Sequence, residues 1–298
     1  MRRSSVVGLI LCLVLSWGLV GSTKSPMPAG FLSAYHWQGS QEWFGGFSAL
    51  NVDPDGIGFT TVTDRGFYTS GRFTRDATGA ISQIVSAPLR QLHDKNGKPY
   101  GEFASDSEGL AVASDGTAYV SFERVTRIAR YATLSARSVQ LRKHPDFKKM
   151  YINSSLESLA IDADGTLYTL PERPLNDAQF FAVYRFENDV WDQPFVLPKR
   201  GSFLVVDADF GPDGRFYVLE RQFYGLAGFA SRVRRFKIGP EGLSEEETLF
   251  QSALGQHDNL EGLSVWRDAA GWLRLTMISD DNLLILQRTE IVEYRVPD

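Results

Sequence analysis

The chain has 298 residues, of which 43% are hydrophobic and 22% are charged, and this balance excludes an intrinsically disordered protein. Its net charge of -5, from 31 basic and 36 acidic residues, provides no basic footprint for a nucleic-acid partner. We therefore expect no nucleic-acid partner. The single cysteine, Cys12, excludes an intrachain disulfide.

The N-terminus has the features of a secretory signal. Arg2 and Arg3 precede an apolar run over residues 6–20, and the small residues Gly21 and Ser22 follow it. An uncleaved membrane anchor is the alternative, but the run is shorter than the ~20 residues that comfortably span a bilayer. We therefore predict a signal peptide over residues 1–22, a periplasmic or secreted location, and no membrane contact after cleavage. Residues 23–298 are expected to form a single domain.

The rest of the chain is organised by a recurring unit of two short strands joined by a tight turn. A lone predicted strand over residues 31–37 precedes the first copy. The clearest copy, residues 108–124, reads EGLAVASDGTAYVSFER, with Asp115-Gly116 at the turn. Five copies recur about every 50 residues, which is typical of a β-propeller. They occupy residues 47–65, 108–124, 156–173, 206–221 and 260–282.

The predicted fold class is therefore all-β, a β-propeller with five blades counted from the repeats. Residues 70–107 leave a sixth, degenerate blade open as an alternative. We expect the ring to be closed by the N-terminal strand pairing with the last blade, because a closed ring has no exposed sheet edge. Third and fourth strands of the blades are predicted at residues 127–131, 139–142, 181–186, 194–197, 232–238 and 247–250.

Polar residues recur at two positions of the unit, where the first strand starts and the second strand ends. Neighbouring antiparallel strands bring these positions to the same end of a blade, so we expect both sets to meet on one face around the central axis. The first set is Ser48, Glu108, Glu157, Asp207 and Glu261. The second set is Asp64-Arg65, Glu123-Arg124, Glu172-Arg173, Glu220-Arg221 and Asp280-Asp281-Asn282.

So many carboxylates at close range require compensation by arginines or by a metal ion. Oxygen ligands without cysteine favour calcium or magnesium over zinc or copper. The predicted metal ligands are Asp64, Glu261, Asp280, Asp281 and Asn282. The alternative is structural, with each Glu-Arg pair acting as a clasp between blades.

Nucleophilic catalysis by serine is not indicated. Ser48 lies in the sequence GFSAL, which lacks the second glycine of the G-x-S-x-G elbow and precedes a strand. His257, shortly before Glu261, is a weak candidate for a general base, since a lone histidine is more often a solvated loop residue.

As a set, these motifs resemble the phytase-like family described as having the esterase-like activity of phytase. The resemblance is carried by Ser48-Ala49-Leu50, Thr63-Asp64-Arg65, residues 107–111, residues 122–124, residues 156–160, residues 219–221, residues 259–263 and residues 279–282.

The resemblance implies a hydrolase of phosphomonoesters or esters, although whether the chain is an enzyme stays open. It implies a small-molecule anionic substrate and a calcium ion held by the acids, because an anion needs a bridging cation on a negative protein. Arg65, Arg124, Arg173 and Arg221 would bind the substrate. The catalytic residue is left open among Glu108, Glu157 and Glu261.

Two other hypotheses for the function remain open from the sequence. The chain could be a non-catalytic propeller that binds a small ligand or a cell-envelope partner, because one fold hosts many functions. It could also be a lactonase-like propeller, which would hold a metal on central oxygen ligands without needing the arginines. A monomer is expected in each case.

Overall fold

A computed structural model describes residues 26–284 and 287–298. The predicted signal peptide and Cys12 lie outside these residues. The described residues form strands, turns and short 3₁₀ helices, and none of their helices is long and apolar enough to cross a membrane. The 3₁₀ helices are Glu102–Ala104, Pro145–Lys149, Leu175–Asp177 and Gly225–Ala227.

The strands form five antiparallel sheets, the five blades of a propeller. The last blade takes its outermost strand, β1 (Phe31–His36), from the start of the chain. Blade 1 contains β2 (Phe47–Val52), β3 (Gly58–Thr63), β4 (Phe67–Arg75), β5 (Ile81–Ser86) and β6 (Arg90–Gln91). Blade 2 contains β7 (Ser107–Val112), β8 (Ala118–Phe122), β9 (Arg127–Tyr131) and β10 (Val139–Gln140). Blade 3 contains β11 (Leu156–Ile161), β12 (Leu167–Pro171), β13 (Phe180–Glu187) and β14 (Val190–Pro198). Blade 4 contains β15 (Leu204–Phe210), β16 (Phe216–Phe223), β17 (Phe229–Gly239) and β18 (Gly242–Gln251). Blade 5 contains β19 (Asn259–Arg267), β20 (Leu273–Asp280) and β21 (Glu290–Val296), followed in space by β1.

The ring closes as the sequence predicts. Strand β1 pairs antiparallel with β21, with Tyr35 opposite Ile291. The first strand of each blade also contacts the first strands of both neighbouring blades, including β19 against β2. The N-terminal strand therefore completes the last blade and joins the two ends of the chain.

The hydrophobic core lies between blades. Each of the five clusters of buried apolar side chains joins two adjacent blades, and one of them joins blade 5 to blade 1 through Trp266 and Phe59. A blade buries its faces only against its neighbours, which is why the repeats are stable only as a closed ring.

The described residues contain five blades and no sixth one. Residues 70–107, the predicted alternative for a sixth blade, complete the outer part of blade 1. Strand β5 pairs with the second half of β4, and β6 pairs with its start, where Phe67 lies opposite Gln91. The predicted outer strands at 127–131, 139–142, 181–186, 194–197, 232–238 and 247–250 coincide with or overlap strands β9, β10, β13, β14, β17 and β18.

Two glycines of the repeat are required by close packing between blades. A Cβ atom on Gly109 would lie 2.7 Å from the backbone nitrogen of Leu159 in blade 3. A Cβ atom on Gly262 would lie 2.8 Å from the backbone nitrogen of Leu50 in blade 1. The glycine that follows Glu108 and Glu261 therefore allows the first strands to approach each other around the axis.

Candidate functional site

A β-bulge in the first strand of each blade leaves one or two residues near the axis without a partner on the second strand. In blade 3, Leu156 pairs with Pro171 and Ser158 with Leu170, so Glu157 has no partner on the second strand. The same irregularity isolates Ser48 in blade 1 and Glu261 in blade 5, and it falls between Ser107 and Leu110 in blade 2, where Glu108 lies. Bulges of this kind redirect a side chain away from the regular pleat.

Blade 4 differs from the sequence alignment by one residue. Val205 pairs with Glu220 and Asp207 with Leu219, so the bulge residue is Val206 and not Asp207. The end of the second strand shifts in the same way. Arg221 pairs with Leu204 just as Asp280 pairs with Asn259 in blade 5.

The structure therefore corrects both predicted sets. The bulge position carries three carboxylates, one serine and one valine. The strand-end position carries four carboxylates and a single arginine. The bulge set is Ser48, Glu108, Glu157, Val206 and Glu261, and the strand-end set is Asp64, Glu123, Glu172, Arg221 and Asp280.

The carboxylates of these two sets lie close enough to raise one another's pKa values. Burial and then the charges of Glu157, Asp106 and Glu261 raise the pKa of Glu108 well above its ordinary value. Burial raises the pKa of Glu123 to about 7, although a hydrogen bond with Glu157 opposes the shift. Burial and the charge of Glu261 raise the pKa of Asp280 to about 9. A cation among them would relieve this repulsion.

Within the described residues, blade 2 holds a group of three acids close enough to share one metal ion. Asp106, Glu108 and Glu123 are all buried, and one carboxylate oxygen from each lies within 4.8 Å of the others. Asp106 was not predicted from the sequence. It lies two residues before Glu108, and this period of two along an extended segment is the signal that was available.

These acids lack cationic partners to a large extent. Within residues 26–284 and 287–298, ion pairs on this face engage Asp64, Asp106, Glu172 and Glu261, which leaves Glu108, Glu123, Glu157 and Asp280 without a basic side chain in contact. The Oδ1 atom of Asp64 is buried and accepts no hydrogen bond. Several buried carboxylates with free oxygens are the donor set that a hard divalent cation requires, so the residues present fit calcium or magnesium.

The family of the chain follows from a comparison of its sequence. The family described as phytase-like, with the esterase-like activity of phytase, matches residues 42–283. The chain belongs to the phytase-like family. A comparison with curated proteins gives no match.

Solved structures with a similar fold share little sequence with this phytase-like chain. A PQQ-bound aldose sugar dehydrogenase from Streptomyces coelicolor is 12% identical, with a TM-score of 0.45, over 91% of this chain and 100% of that chain. A gluconolactonase from Xanthomonas campestris is 12% identical, with a TM-score of 0.44, over 84% and 72%. A virginiamycin B lyase from Staphylococcus aureus is 11% identical, with a TM-score of 0.45, over 89% and 88%. These similarities concern the fold alone.

Arg221 is the one basic residue at the two axial positions of this phytase-like ring. Its Nη2 atom lies 3.3 Å from Oε1 of Glu172 in blade 3, and its Nη1 atom donates to Glu261 in blade 5. The same Nη1 atom also bonds to Asn259. Arg221 therefore neutralises two acids and connects three consecutive blades, as the structural alternative predicts for a Glu-Arg clasp.

The other three predicted arginines lie at the rim of the acidic face. Arg124 binds Asp106 with its Nε atom at 3.0 Å, and Arg173 lies 3.6 Å from Glu172. Arg65 lies over the ring of Trp43 at 5.5 Å. Its Nε atom lies 3.6 Å from Oδ1 of Asp64, and within the described residues its buried Nε and Nη2 atoms make no hydrogen bond.

Two predicted acids lie away from the axial cluster. The Asp207 carboxylate accepts the backbone amides of Ala208 and Leu263, and so binds blade 4 to blade 5. Glu220 is fully buried within its own blade, where Arg232 and Arg234 bind it. Both carboxylates serve the packing of the ring.

The predicted ligand run after β20 is divided between the cluster and the adjacent loop. Asp280 is buried, and the charges of Glu261 and Asp64 raise its pKa. Asp281 accepts hydrogen bonds from the amide of Gly46 and the hydroxyl of Thr289, so its oxygens connect blade 5 to the segment before blade 1. Asn282 adopts a left-handed backbone conformation with φ of 45° and lines a neighbouring cavity.

That cavity, of about 900 Å³, opens at the acidic face and is lined by residues of blades 3, 4 and 5. Its polar residues include Glu172, Arg221 and Glu261. His257 also borders it, but its ring is buried and its Nε2 atom lies 2.6 Å from the hydroxyl of Tyr294. Burial lowers the pKa of His257 to about 4, so a neutral histidine packed in the core is the better description.

Proposed function

We propose that this phytase-like chain is a hydrolase of phosphomonoesters or carboxylic esters, with its site in the acidic cluster on the propeller axis. The observation that carries the proposal is the convergence of Glu108, Glu123 and Glu157 from neighbouring blades without cationic partners in the described residues. Such clusters are unfavourable for stability, and perturbed titratable groups of this kind concentrate at functional sites. Membership of a family described by esterase-like activity supports the same reaction class.

The chain's own residues would hold a divalent cation, for which calcium is our proposal. Asp106, Glu108 and Glu123 offer three oxygens within reach of one ion, while Asp64 and Asp280 extend the acidic surface towards blade 5. When bound, the cation would supply positive charge that polarises the carbonyl or phosphoryl oxygen of a substrate.

Arg65 is the best candidate for binding the anionic part of a substrate. The guanidinium lies over the ring of Trp43 and beside Asp64, and its Nε and Nη2 atoms make no hydrogen bond within the residues that the structure describes. Arginine presents its donors in a planar fork that matches the oxygens of a carboxylate or a phosphate. Arg124 and Arg173 are more exposed and would attract the anion at the rim.

Of the three candidate catalytic acids, Glu157 is best suited to move a proton. Burial and the charges of Glu172 and Glu123 raise its pKa well above the ordinary value, which favours its protonated form. Its carboxyl group interacts with that of Glu123, which would give the proton a path between the two groups. Glu261, in contrast, is held by Arg221 and Asn259 and would orient its neighbours.

Hydrolysis of p-nitrophenyl phosphate and p-nitrophenyl acetate tests the proposal. We expect turnover that disappears on chelation and returns when calcium is added. Glu108→Gln should weaken calcium binding by at least about 10-fold, because changes at or next to a metal ligand typically reduce metal affinity by this much. Asp115→Asn, at the exposed hairpin turn of the same blade, is the matched control and should behave as the wild type.

The alternative is a non-catalytic propeller that binds a small ligand or a cell-envelope partner. The clasp that Arg221 makes with Glu172 and Glu261 favours it, because part of the acidic face is then structural. Absence of turnover on both substrates, with calcium present, would favour this alternative. In either case we propose a periplasmic or secreted monomer that takes a small anionic ligand.

A further inference from the structure

The hairpin of blade 4 extends further over the acidic face than those of blades 2 and 3. The second strand ends at Phe122 in blade 2 and at Pro171 in blade 3, whose counterpart in blade 4 is Glu220. In blade 4 the strand continues to Phe223. Three further residues of a strand add about 10 Å, so the hairpin extends past Arg221 at the acidic face.

This projection is apolar. Phe223 pairs across the hairpin with Phe229, and their ring centroids are 5.0 Å apart. Leu226 lies at the tip with its side chain fully exposed, and Phe223 is 64% exposed. Exposed aromatic and aliphatic side chains grouped at the mouth of a cavity indicate a binding surface, whereas such residues scattered singly do not.

The apolar wall is continuous with the polar floor of the cavity. The guanidinium of Arg221 lies over the ring of Phe229, at 5.8 Å from its centroid. Leu204, Phe223, Leu226 and Phe229 line the same cavity of about 900 Å³ as Glu172 and Glu261. A volume of this size, apolar on one side with a few polar groups on the other, is typical of a small-molecule site.

Resting on the proposed function, we propose that the substrate is amphiphilic and carries an alkyl or acyl group that packs against the wall formed by Phe223, Leu226 and Phe229. A polyol covered with phosphates would place charge against these apolar side chains and against Glu172 and Glu261. An ester or phosphomonoester with a hydrocarbon group would match both sides of the cavity. The hydrocarbon group, and not a high phosphate content, would then determine specificity.

Binding of two simple phosphates tests the wall independently of turnover. Octyl phosphate and methyl phosphate, each with calcium and below the micellar concentration, are compared by isothermal titration calorimetry. Each methylene covered by apolar side chains strengthens binding about 4-fold, so covering two of them gives about 15-fold. We expect octyl phosphate to bind at least 10-fold more tightly, and equal affinities would overturn the inference.

A double variant, Phe223→Ser with Leu226→Ser, locates the effect. Both side chains are largely exposed, so the variant should fold, and the ratio of the two affinities should fall below about 3. Val190→Ser is the matched control, because Val190 is 60% exposed on the outer strand of blade 3. An unchanged ratio in the double variant would overturn the assignment to this hairpin.

Turnover separates this inference from the proposed function. If the chain is a hydrolase, kcat/KM for p-nitrophenyl octanoate should exceed that for the acetate by at least 10-fold, and the double variant should reduce this ratio. Tighter binding of octyl phosphate without turnover of any ester or phosphate would refute the hydrolase and support the apolar subsite. Turnover that is independent of the length of the hydrocarbon chain would support the hydrolase and refute the apolar subsite.

Discussion

Removing the charge of Arg221 should destabilise the whole ring. Its guanidinium contacts Glu172 and Glu261, and all three side chains are less than one-fifth exposed, with 18% for Arg221 itself. Arg221→Met preserves the length of the side chain and removes its charge. The two carboxylates would then remain buried without their shared cation.

The magnitude follows from the burial of these groups. Breaking a buried ion pair by removing one partner costs about 3–5 kcal/mol, since the remaining charge stays desolvated. For a chain of this size, 1 kcal/mol corresponds to about 2–4 °C in the unfolding midpoint. We therefore expect Arg221→Met to lower the midpoint by on the order of 10 °C, measured by calorimetry and by urea unfolding on chelated protein.

Two controls separate this effect from a general loss of charge. Arg173→Met removes an arginine that is 58% exposed and 3.6 Å from Glu172, so it should cost less than about 0.5 kcal/mol. Combining Arg221→Met with Glu172→Gln and Glu261→Gln should recover most of the lost stability. If Arg221→Met and Arg173→Met are equally stable, Arg221 does not neutralise the two acids and the reasoning is refuted.

Three further predictions concern packing and ionisation. Asp207→Ala leaves the buried amides of Leu263 and Ala208 without acceptors, so the free energy of unfolding in urea should fall by about 2 kcal/mol while kcat/KM changes less than 2-fold. A loss of calcium binding in this variant would contradict the structural role of Asp207. Gly109→Ala places a Cβ atom against blade 3 and should lower the free energy of unfolding by about 1–3 kcal/mol in the same assay. Gly101→Ala should have no effect, because a Cβ atom added there would lie in open space. The folded-state pKa of Glu123 is about 7 and its ordinary value is 4.5, so its stabilising contribution is present below about pH 4.5 and is lost as the pH rises through about 7. The unfolding free energy of the chelated protein should therefore fall by roughly 3 kcal/mol between these limits, and an unfolding free energy that rises with pH would contradict this.

Much of the fold could be predicted from the sequence because each repeat carries its own turn and strand pattern. The Asp-Gly turn that ends at Gly116, with φ of 85°, fixes the hairpin, and alternating apolar residues fix its buried faces. Closure by the N-terminal strand could be predicted because that strand has no partner within its own repeat. The number of blades was left between five and six because residues 70–107 contain strands without the motif.

The site was harder to predict because, in the fourth repeat, an acid lies next to each axial position: Asp207 follows Val206, and Glu220 precedes Arg221. Alignment on Asp207 and Glu220 keeps carboxylates together, but it leaves one residue fewer before the turn at Gly214 than in the first three copies. Alignment on the turn glycine places Val206 and Arg221 at the axial positions, as observed. The pairing of strands, and not the type of residue, decides which side chain reaches the axis.

The hairpin of blade 4 could not be predicted from the repeat at all. Nothing in the residues after Arg221 indicates whether Phe223 and Phe229 extend two strands or form a loop. Their pairing depends on the tight turn at Gly225–Ala227 and on the packing of β17 against β18. Tertiary contacts of this kind override local preference.

The central claim, that the axial carboxylates bind a divalent cation, is tested most directly by titrating calcium into the chelated protein by isothermal titration calorimetry. Measurements at about pH 7 in two buffers of different ionisation enthalpy count the protons released, because carboxyls with raised pKa values must deprotonate on binding. We predict saturable binding with proton release in the wild type, and loss of both in Glu108→Gln with Glu123→Gln. No binding heat in the wild type, in either buffer, with an unchanged unfolding midpoint, would contradict the account.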